Sequence, residues 1–268
     1  LLELGAGCGA VTRWLGERFE QVEAVEGSYA RASVARERCR DLPGVRVSAA
    51  NFFDLDFGND FDLATLIGVL EYSHLYHPEF GSDPDRAARS NLELVRSSLR
   101  PDGSLIVAIE NKLGLKYLAG AHEDHASRRF EGIEGYPSRR SAVTWSAVEL
   151  ERLLLDAGFQ GVDFYLPFPD YKLARTVIDA AAATPDTYPA NWAEAPFPDR
   201  AGAQSRTPFN EALALREVVS AGLLRDLANS FVVVAYNGDR ETCRTRLGVE
   251  DGWVSRHYSL DRRPAFCK

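Results

Sequence analysis

Along the first hundred residues, apolar and polar positions switch between the period of a strand and the period of a helix. Leu1, Leu2 and Leu4 make a short apolar run carrying one carboxylate, Glu3, and lead into a loop with glycine at 5, 7 and 9. Val11, Trp14, Leu15 and Phe19 then recur at helical spacing. Residues 22–25 read as a second strand closing on Glu26-Gly27-Ser28. Residues 29–39 read as a helix with Ala32, Ala35 and Cys39 inward, stopped by Pro43-Gly44. Val45, Val47 and Ala49 alternate as a third strand, followed by Asn51-Phe52-Phe53-Asp54-Leu55. Residues 61–67 predict a fourth, running into Gly68-Val69-Leu70-Glu71-Tyr72. Ala88, Leu92, Val95 and Leu99 mark the next helix, and Arg100-Pro101-Asp102-Gly103 turns it into a fifth strand at 104–109. Strand, turn and helix in this repeated order predict an open, mostly parallel α/β sheet that takes its ligand at the carboxyl ends of the strands.

The regular alternation stops at 111–141, which has several glycines and little helical period. Loops longer than about 12–15 residues inside a domain are usually functional, and this one leaves the end of the fifth strand, so it is expected to overhang the ligand crevice. Ser146 and Glu149 then form a capping box that opens a helix closed by Gly158. Residues 161–166 predict a sixth strand, and 231–236 a last strand lying antiparallel beside it. About sixty residues separate the two. They hold a proline- and aromatic-rich stretch, 167–208, and one helix over 210–228.

The glycine loop carries the first chemistry. Glycine lets a backbone turn sharply and approach a ligand, and the following helix start offers unpaired N–H groups. Gly5-x-Gly7-x-x-Ala10 fits a dinucleotide fingerprint, with a pyrophosphate on the helix start. Gly5-x-Gly7-x-Gly9 preceded by Glu3 resembles instead the first motif of the class I S-adenosylmethionine-dependent methyltransferases. A carboxylate at Glu26 is placed to accept both ribose hydroxyls of either cofactor. The later motifs separate the two: Asn51-Phe52 after the third strand, the Asp62-start fourth strand with its Gly68-Val69-Leu70 turn, and the Leu99-Arg100-Pro101-Asp102-Gly103 turn all resemble the methyltransferase series in order.

That resemblance implies a Rossmann-like methyltransferase fold. It has three layers, α/β/α, around a mostly parallel seven-stranded sheet with an antiparallel last strand, here with two inserts, 111–141 and 167–229. The expected domain is 1–237, with 238–268 a C-terminal extension or the start of a further module. The resemblance also implies S-adenosylmethionine as cofactor. Glu3, Gly5, Ala6, Gly7 and Gly9 would hold its amino acid end, and Glu26, Gly27 and Ser28 its ribose. Asn51 and Phe52 would hold the adenine, and Gly68 and Val69 the methionine part. Residues 110–137, with Asn-Lys-Leu-Gly-Leu-Lys-Tyr and Glu-Gly-Ile-Glu-Gly-Tyr-Pro, resemble inserts of bacterial methyltransferase domains that accompany glycosyltransferases. This implies a small-molecule or glycan acceptor and a linked glycosyltransferase or other domain. A non-catalytic cofactor-binding scaffold and an NAD-dependent oxidoreductase are the alternatives.

Composition narrows the partners. A net charge of −8 and a pI near 5.3 argue against nucleic acid as a whole-surface partner. No apolar run approaches the ~20 residues of a membrane span. Four scattered cysteines, Cys8, Cys39, Cys243 and Cys267, suit reduced thiols of the cytoplasm. The chain has no methionine, even at position 1, and opens inside its first core strand, so a piece of a longer protein is expected. Residues 111–141 hold six Lys or Arg against four Asp or Glu, which hints at an anionic acceptor. Methyl transfer needs a base only where the acceptor must lose a proton. Candidates are His125, Glu110 and Tyr72, with His74 and His122 behind them. His122-x-x-His125 with Glu123 and Asp124 has the residue types of a metal site but no second ligand cluster, and no metal is expected.

Overall fold

A computed structural model of the chain describes residues 1–138, 141–187 and 208–258. Parts of both expected inserts, 139–140 and 188–207, and the end of the expected extension, 259–268, lie outside the described residues. The chain divides into two compact units. The first comprises Leu1–Val107, Arg152–Val162 and Val234–Val249; the second comprises Ala108–Glu151, Asp163–Val233 and Glu250–Lys268.

The first unit opens with the expected alternation. Strands β1 (Leu2–Leu4), β2 (Val22–Glu26), β3 (Val45–Ala49) and β4 (Phe61–Ile67) alternate with helices α1 (Ala10–Gly16) and α2 (Tyr29–Arg38). β1 pairs in parallel with β2 and β4, setting Glu3 opposite Ala24 and Thr65, and β2 pairs in parallel with β3. Leu1, Leu15, Val22 and Leu63 are buried together, with Val11, Val45, Ile106 and Leu247 against them. Helix α1 stops at Gly16, so Phe19 falls outside it and is exposed, as is Trp14. A side chain at Gly16 would meet Val45 Cγ2 at 2.3 Å, so the chain presses on β3 there.

Short helix α3 (Ser73–Tyr76) precedes α4 (Pro84–Ser98), which Asp83 caps by accepting the Arg86 N–H at 3.1 Å. Strand β5 (Leu99–Glu110) begins five residues earlier than the expected Ser104. The cause is Asn237: its side-chain amide donates to the carbonyls of Arg100 at 2.9 Å and Leu99 at 3.3 Å, and its N–H donates to Gly103 O at 3.0 Å. The expected turn is therefore drawn out as extended chain. The remaining elements are α5 (Leu115–Leu118), α6 (Ala147–Asp156), β6 (Gly161–Phe168), β7 (Thr176–Asp179), α7 (Glu211–Ser220), α8 (Leu224–Leu227), β8 (Ser230–Tyr236), α9 (Arg240–Leu247) and β9 (Ser255–His257).

Among the described residues the strand order is β3-β2-β1-β4-β5-β8-β6-β7-β9, nine strands where seven were expected. β8 runs antiparallel to its neighbours: Asn237 N–H bonds the start of β5 at Gly103, Asn111 N–H bonds Asn229 just before β8, and Gln160 N–H bonds Tyr236 at the end of β8. The two added strands are β7, inside the expected second insert, and β9, inside the expected extension. They pair antiparallel in the second unit, as do β6 and β7. The helix expected over 210–228 is two, because the chain turns at Gly222 (φ +73°), whose N–H closes α7 on Val219 O at 3.0 Å. The capping box holds as expected: Glu149 Oε2 accepts from Ser146 N–H at 2.8 Å and Ser146 Oγ accepts from Glu149 N–H at 3.4 Å.

Residues 111–138 form packed structure rather than a solvated loop. Asn111 donates through its amide to Asp226 O and Ala228 O, both at 2.8 Å, and Asn229 Oδ1 accepts the Lys116 N–H at 3.0 Å. Glu131 Oε1 accepts the Ser138 N–H at 2.9 Å, and the buried Tyr136 hydroxyl lies 2.6 Å from Thr144 Oγ1.

Gly9 joins α1 to α2. It sits at φ +76°, and a Cβ there would lie 2.7 Å from Ala35 Cα. A methyl group at that point has to push backbone, which neither helix can yield cheaply. Gly9→Ala should lower the free energy of urea unfolding by about 2–4 kcal/mol. Gly7→Ala, at φ +55° with nothing within 4 Å, should cost about 1–2 kcal/mol. Equal losses at the two positions would mean that the close approach of the helices contributes nothing.

Candidate functional site

The first unit holds a cavity of about 580 Å³ at the carboxyl ends of its strands. Gly5 and Gly7 form one wall, Glu26, Gly27, Ser28 and Arg31 a second, and Ala50, Asn51 and Phe52 a third; Gly68, Val69, Tyr72 and Tyr76 complete it. The glycine loop is tied to β2 by the N–H groups of Gly5 and Ala6, which both donate to Val25 O, at 2.8 and 3.1 Å. Gly5 admits Val69, whose Cγ2 would lie 2.3 Å from any Cβ at that position. Gly7 faces open space within the cavity, as a residue lying along a ligand must.

Glu26 is the carboxylate of the site and is only 4% exposed. Its Oε2 accepts the Gly7 N–H at 2.8 Å, its Oε1 accepts the Ser28 N–H at 2.9 Å, and Arg31 Nη2 lies 2.7 Å from Oε1 in an ion pair. Ser28 also caps α2, its Oγ 3.5 Å from the Arg31 N–H. Asn51 builds the turn Phe52–Asp54: its Oδ1 accepts the Phe53 N–H at 3.2 Å and its Nδ2 donates to Tyr76 O at 2.9 Å. An amide has two donor hydrogens and two acceptor lone pairs, so one of each remains for a ligand edge. Phe52 packs at a tilt against Phe53 with ring centroids 4.7 Å apart, backed by His77 and Phe80. Burial pulls the His77 ring below its ordinary value.

Three residues expected at the cofactor do not line this cavity. Ala6 is buried beneath the loop, and Gly9 joins the helices. Glu3 is buried in β1, its Oε2 without a hydrogen-bond partner among the described residues. Arg31, Ala50 and Tyr76 line the cavity and were not singled out in the sequence. Arg31 stands one turn into α2 and five residues past Glu26, a spacing that could have pointed to it.

Of the candidate catalytic residues, Tyr72 lines the cavity, while Glu110 and His125 belong to the second unit. Glu110, at the end of β5, is fully buried and ion-paired with Lys172, whose ammonium is held above its ordinary value by Glu110, Asp124 and Asp170 against the effect of burial. Asp124 accepts from Lys116 at 2.7 Å and from the Tyr117 hydroxyl at 2.6 Å; Lys116 also lies 3.3 Å from Asp170. The carboxylates of Glu110, Asp124 and Asp170 come within 4.8 Å of one another, and the two lysine ammonium groups pair with all three. Burial, and then Asp124 and Glu110, push the Tyr117 phenol well above its usual range. His125 Nδ1 is 2.9 Å from Glu123 Oε1, and Glu123 Oε2 accepts the His125 N–H at 2.8 Å. His122 bridges to Arg129 through its backbone.

Residues 2–105 match a family model described as a methyltransferase domain. That span contains the glycine loop, Glu26, Asn51 and the Gly68-Val69 turn, the residues that carry the resemblance to S-adenosylmethionine-dependent methyltransferases. Among curated proteins none matches the chain. Among solved structures it is similar to phospholethanolamine N-methyltransferase 2 of Haemonchus contortus, in complex with phosphomonomethylethanolamine and S-adenosylhomocysteine. The two are 17% identical with a TM-score of 0.51 over 89% of this chain and 48% of that one. A complex between the Haloferax volcanii Trm112 methyltransferase activator and a methyltransferase is also similar, at 17% identity and a TM-score of 0.50, over 89% of this chain and 82% of that one. At such identity these likenesses establish the fold. The chain spans about half the length of the Haemonchus enzyme. No helix among the described residues is long and apolar enough to cross a membrane.

Burial pushes the Glu3 carboxyl above its ordinary value of 4.5. Folding therefore favours its protonated form, and its contribution to stability falls as pH rises through the ordinary value. Glu3→Gln should raise the urea midpoint at neutral pH, with the gain fading to nothing below about pH 4. A lower midpoint for Glu3→Gln at neutral pH would show that the ionised carboxylate has a cationic partner in the folded chain.

Proposed function

We propose that the chain binds S-adenosylmethionine in the cavity of its first unit and transfers the methyl group to a small or glycan-type acceptor. The observation that carries this reading is the cavity itself: within the span matching a methyltransferase domain, it joins an open-faced Gly7 to the buried carboxylate of Glu26. When bound, the cofactor supplies a methyl group already activated on a sulfonium. The residues then have to bind, orient and exclude water, and orientation by itself contributes ~7–11 kcal/mol. Gly5 and Gly7 accommodate the amino acid end, Glu26 accepts from the ribose, and Asn51 with Phe52 meets the adenine edge and face. Gly68 and Val69 lie against the methionine chain.

A hydroxyl acceptor needs a proton acceptor as well. His125 is the candidate, with Glu123 bonded at Nδ1 and so fixing the tautomer. Glu110 and Tyr72 are secondary, since Glu110 is ion-paired. The resemblance of residues 110–137 to domains that accompany glycosyltransferases supports a glycan-type acceptor and such a companion. The cationic excess of that segment supports an anionic acceptor only weakly, because Lys112 pairs with Glu149, Lys116 with Asp124, and Arg128 with Glu131.

Calorimetric titration with S-adenosylhomocysteine and with NAD, run side by side, tests the cofactor. S-adenosylhomocysteine should saturate one site and NAD none, and the reverse result would return the oxidoreductase reading. Charge-assisted bonds from two hydroxyls are worth ~1.5–3 kcal/mol each. Glu26→Ala should therefore weaken S-adenosylhomocysteine by about tenfold or more, and Glu26→Gln by less.

The base is tested separately, with label transferred from methyl-labelled S-adenosylmethionine to hydroxyl-bearing glycan precursors. His125→Ala should keep its affinity for S-adenosylhomocysteine and lose ~10²–10⁴-fold in transfer rate. A rate matching the unmodified chain across neutral pH would leave positioning as the whole of the catalysis.

A further inference from the structure

An arginine stands against the carboxylate of Glu26 where a ribose has to reach it. An ionised carboxylate offers about four lone-pair sites, two on each oxygen. Oε1 already accepts from the Ser28 N–H and has Arg31 Nη2 against it at 2.7 Å in an ion pair, and Oε2 accepts from the Gly7 N–H. The second site on Oε2 is open and the guanidinium stands against Oε1, whereas a vicinal diol donates two hydrogens. Two of the three groups at the carboxylate cannot withdraw: the Gly7 and Ser28 N–H groups are main chain, held by the glycine loop and by the start of α2. The third is a side chain that is 54% exposed, on the first turn of a surface helix, and it lines the cavity.

We propose that Arg31 is a displaceable stopper on the ribose position, holding the Oε1 site that the second hydroxyl of a diol must take. The inference rests on the cofactor reading above and adds a specificity device to it. A nucleoside with both hydroxyls gains two bonds by driving the guanidinium off Oε1 into solvent. A nucleoside with one hydroxyl uses the free site on Oε2 and leaves Arg31 in place. Arg31 thus makes every diol ligand give up part of its binding energy to break the ion pair, and removing Arg31 restores that part.

The experiment compares unmodified chain with Arg31→Ala by calorimetry, using S-adenosylhomocysteine, adenosine, 2′-deoxyadenosine and 3′-deoxyadenosine as probes. Arg31→Ala should bind the two diol ligands about two- to fivefold more tightly, the weight of a half-exposed ion pair, and the two deoxy ligands with unchanged affinity. In the unmodified chain, affinity for S-adenosylhomocysteine should rise when salt goes from about 50 to about 500 mM, because screening loosens the pair. Arg31→Ala should show no such rise. Equal or weaker binding of the diol ligands by Arg31→Ala, an equal gain for the deoxy ligands, or a salt response of the wrong sign overturns the inference alone. Failure of the unmodified chain to bind either S-adenosylhomocysteine or adenosine overturns the cofactor reading, and this inference with it.

Discussion

The bond between the Glu26 carboxylate and the Gly7 N–H is the constraint on which the cavity depends. It fastens the tip of the glycine loop to the end of β2, while the two N–H groups before it fasten the base of the loop to Val25 O. A carboxylate this deeply buried is tolerable only with donors around it. The donors here are the loop and the helix start, with one arginine ion-paired beside them. The same group therefore shapes the loop, caps the approach to α2 and presents charge to the cavity. Removing it would leave two main-chain N–H groups short of a partner.

The three loop glycines carry different duties. Gly5 yields room to Val69, Gly9 yields room to the backbone of α2, and Gly7 yields room to whatever enters the cavity. A spacing motif treats the three as one signal, whereas their neighbours divide them into two packing positions and one ligand position. Asn51 is divided in the same way. It holds the turn after β3 with one donor and one acceptor and keeps one of each for the cavity.

The second unit is organised by polar side chains bonding to main chain rather than by apolar periodicity. Asn111, Asn229, Glu123 and Glu131 each satisfy backbone groups that no helix or ladder reaches. That is why residues 111–138 read as a mixed-charge loop and yet pack around Leu115, Tyr117 and Tyr136, all buried. Their charges are also largely internal: Lys112, Lys116 and Arg128 face carboxylates of the same unit. A sum over the segment therefore says little about what the segment attracts.

The sequence by itself determined β1 to β4, α2, the capping box of α6, the antiparallel strand β8 and most of the cavity wall. These depend on short-range periodicity, capping and turn chemistry, which a residue and its near neighbours carry. Tertiary structure alone decided that β5 starts at Leu99 and that β7 and β9 join the sheet. Asn237 reaches Arg100 across 137 positions of chain, and Val177 pairs with Arg256. Hydrogen bonds of that reach leave no local period, because each partner looks like an ordinary loop or edge residue until the chain brings the other beside it.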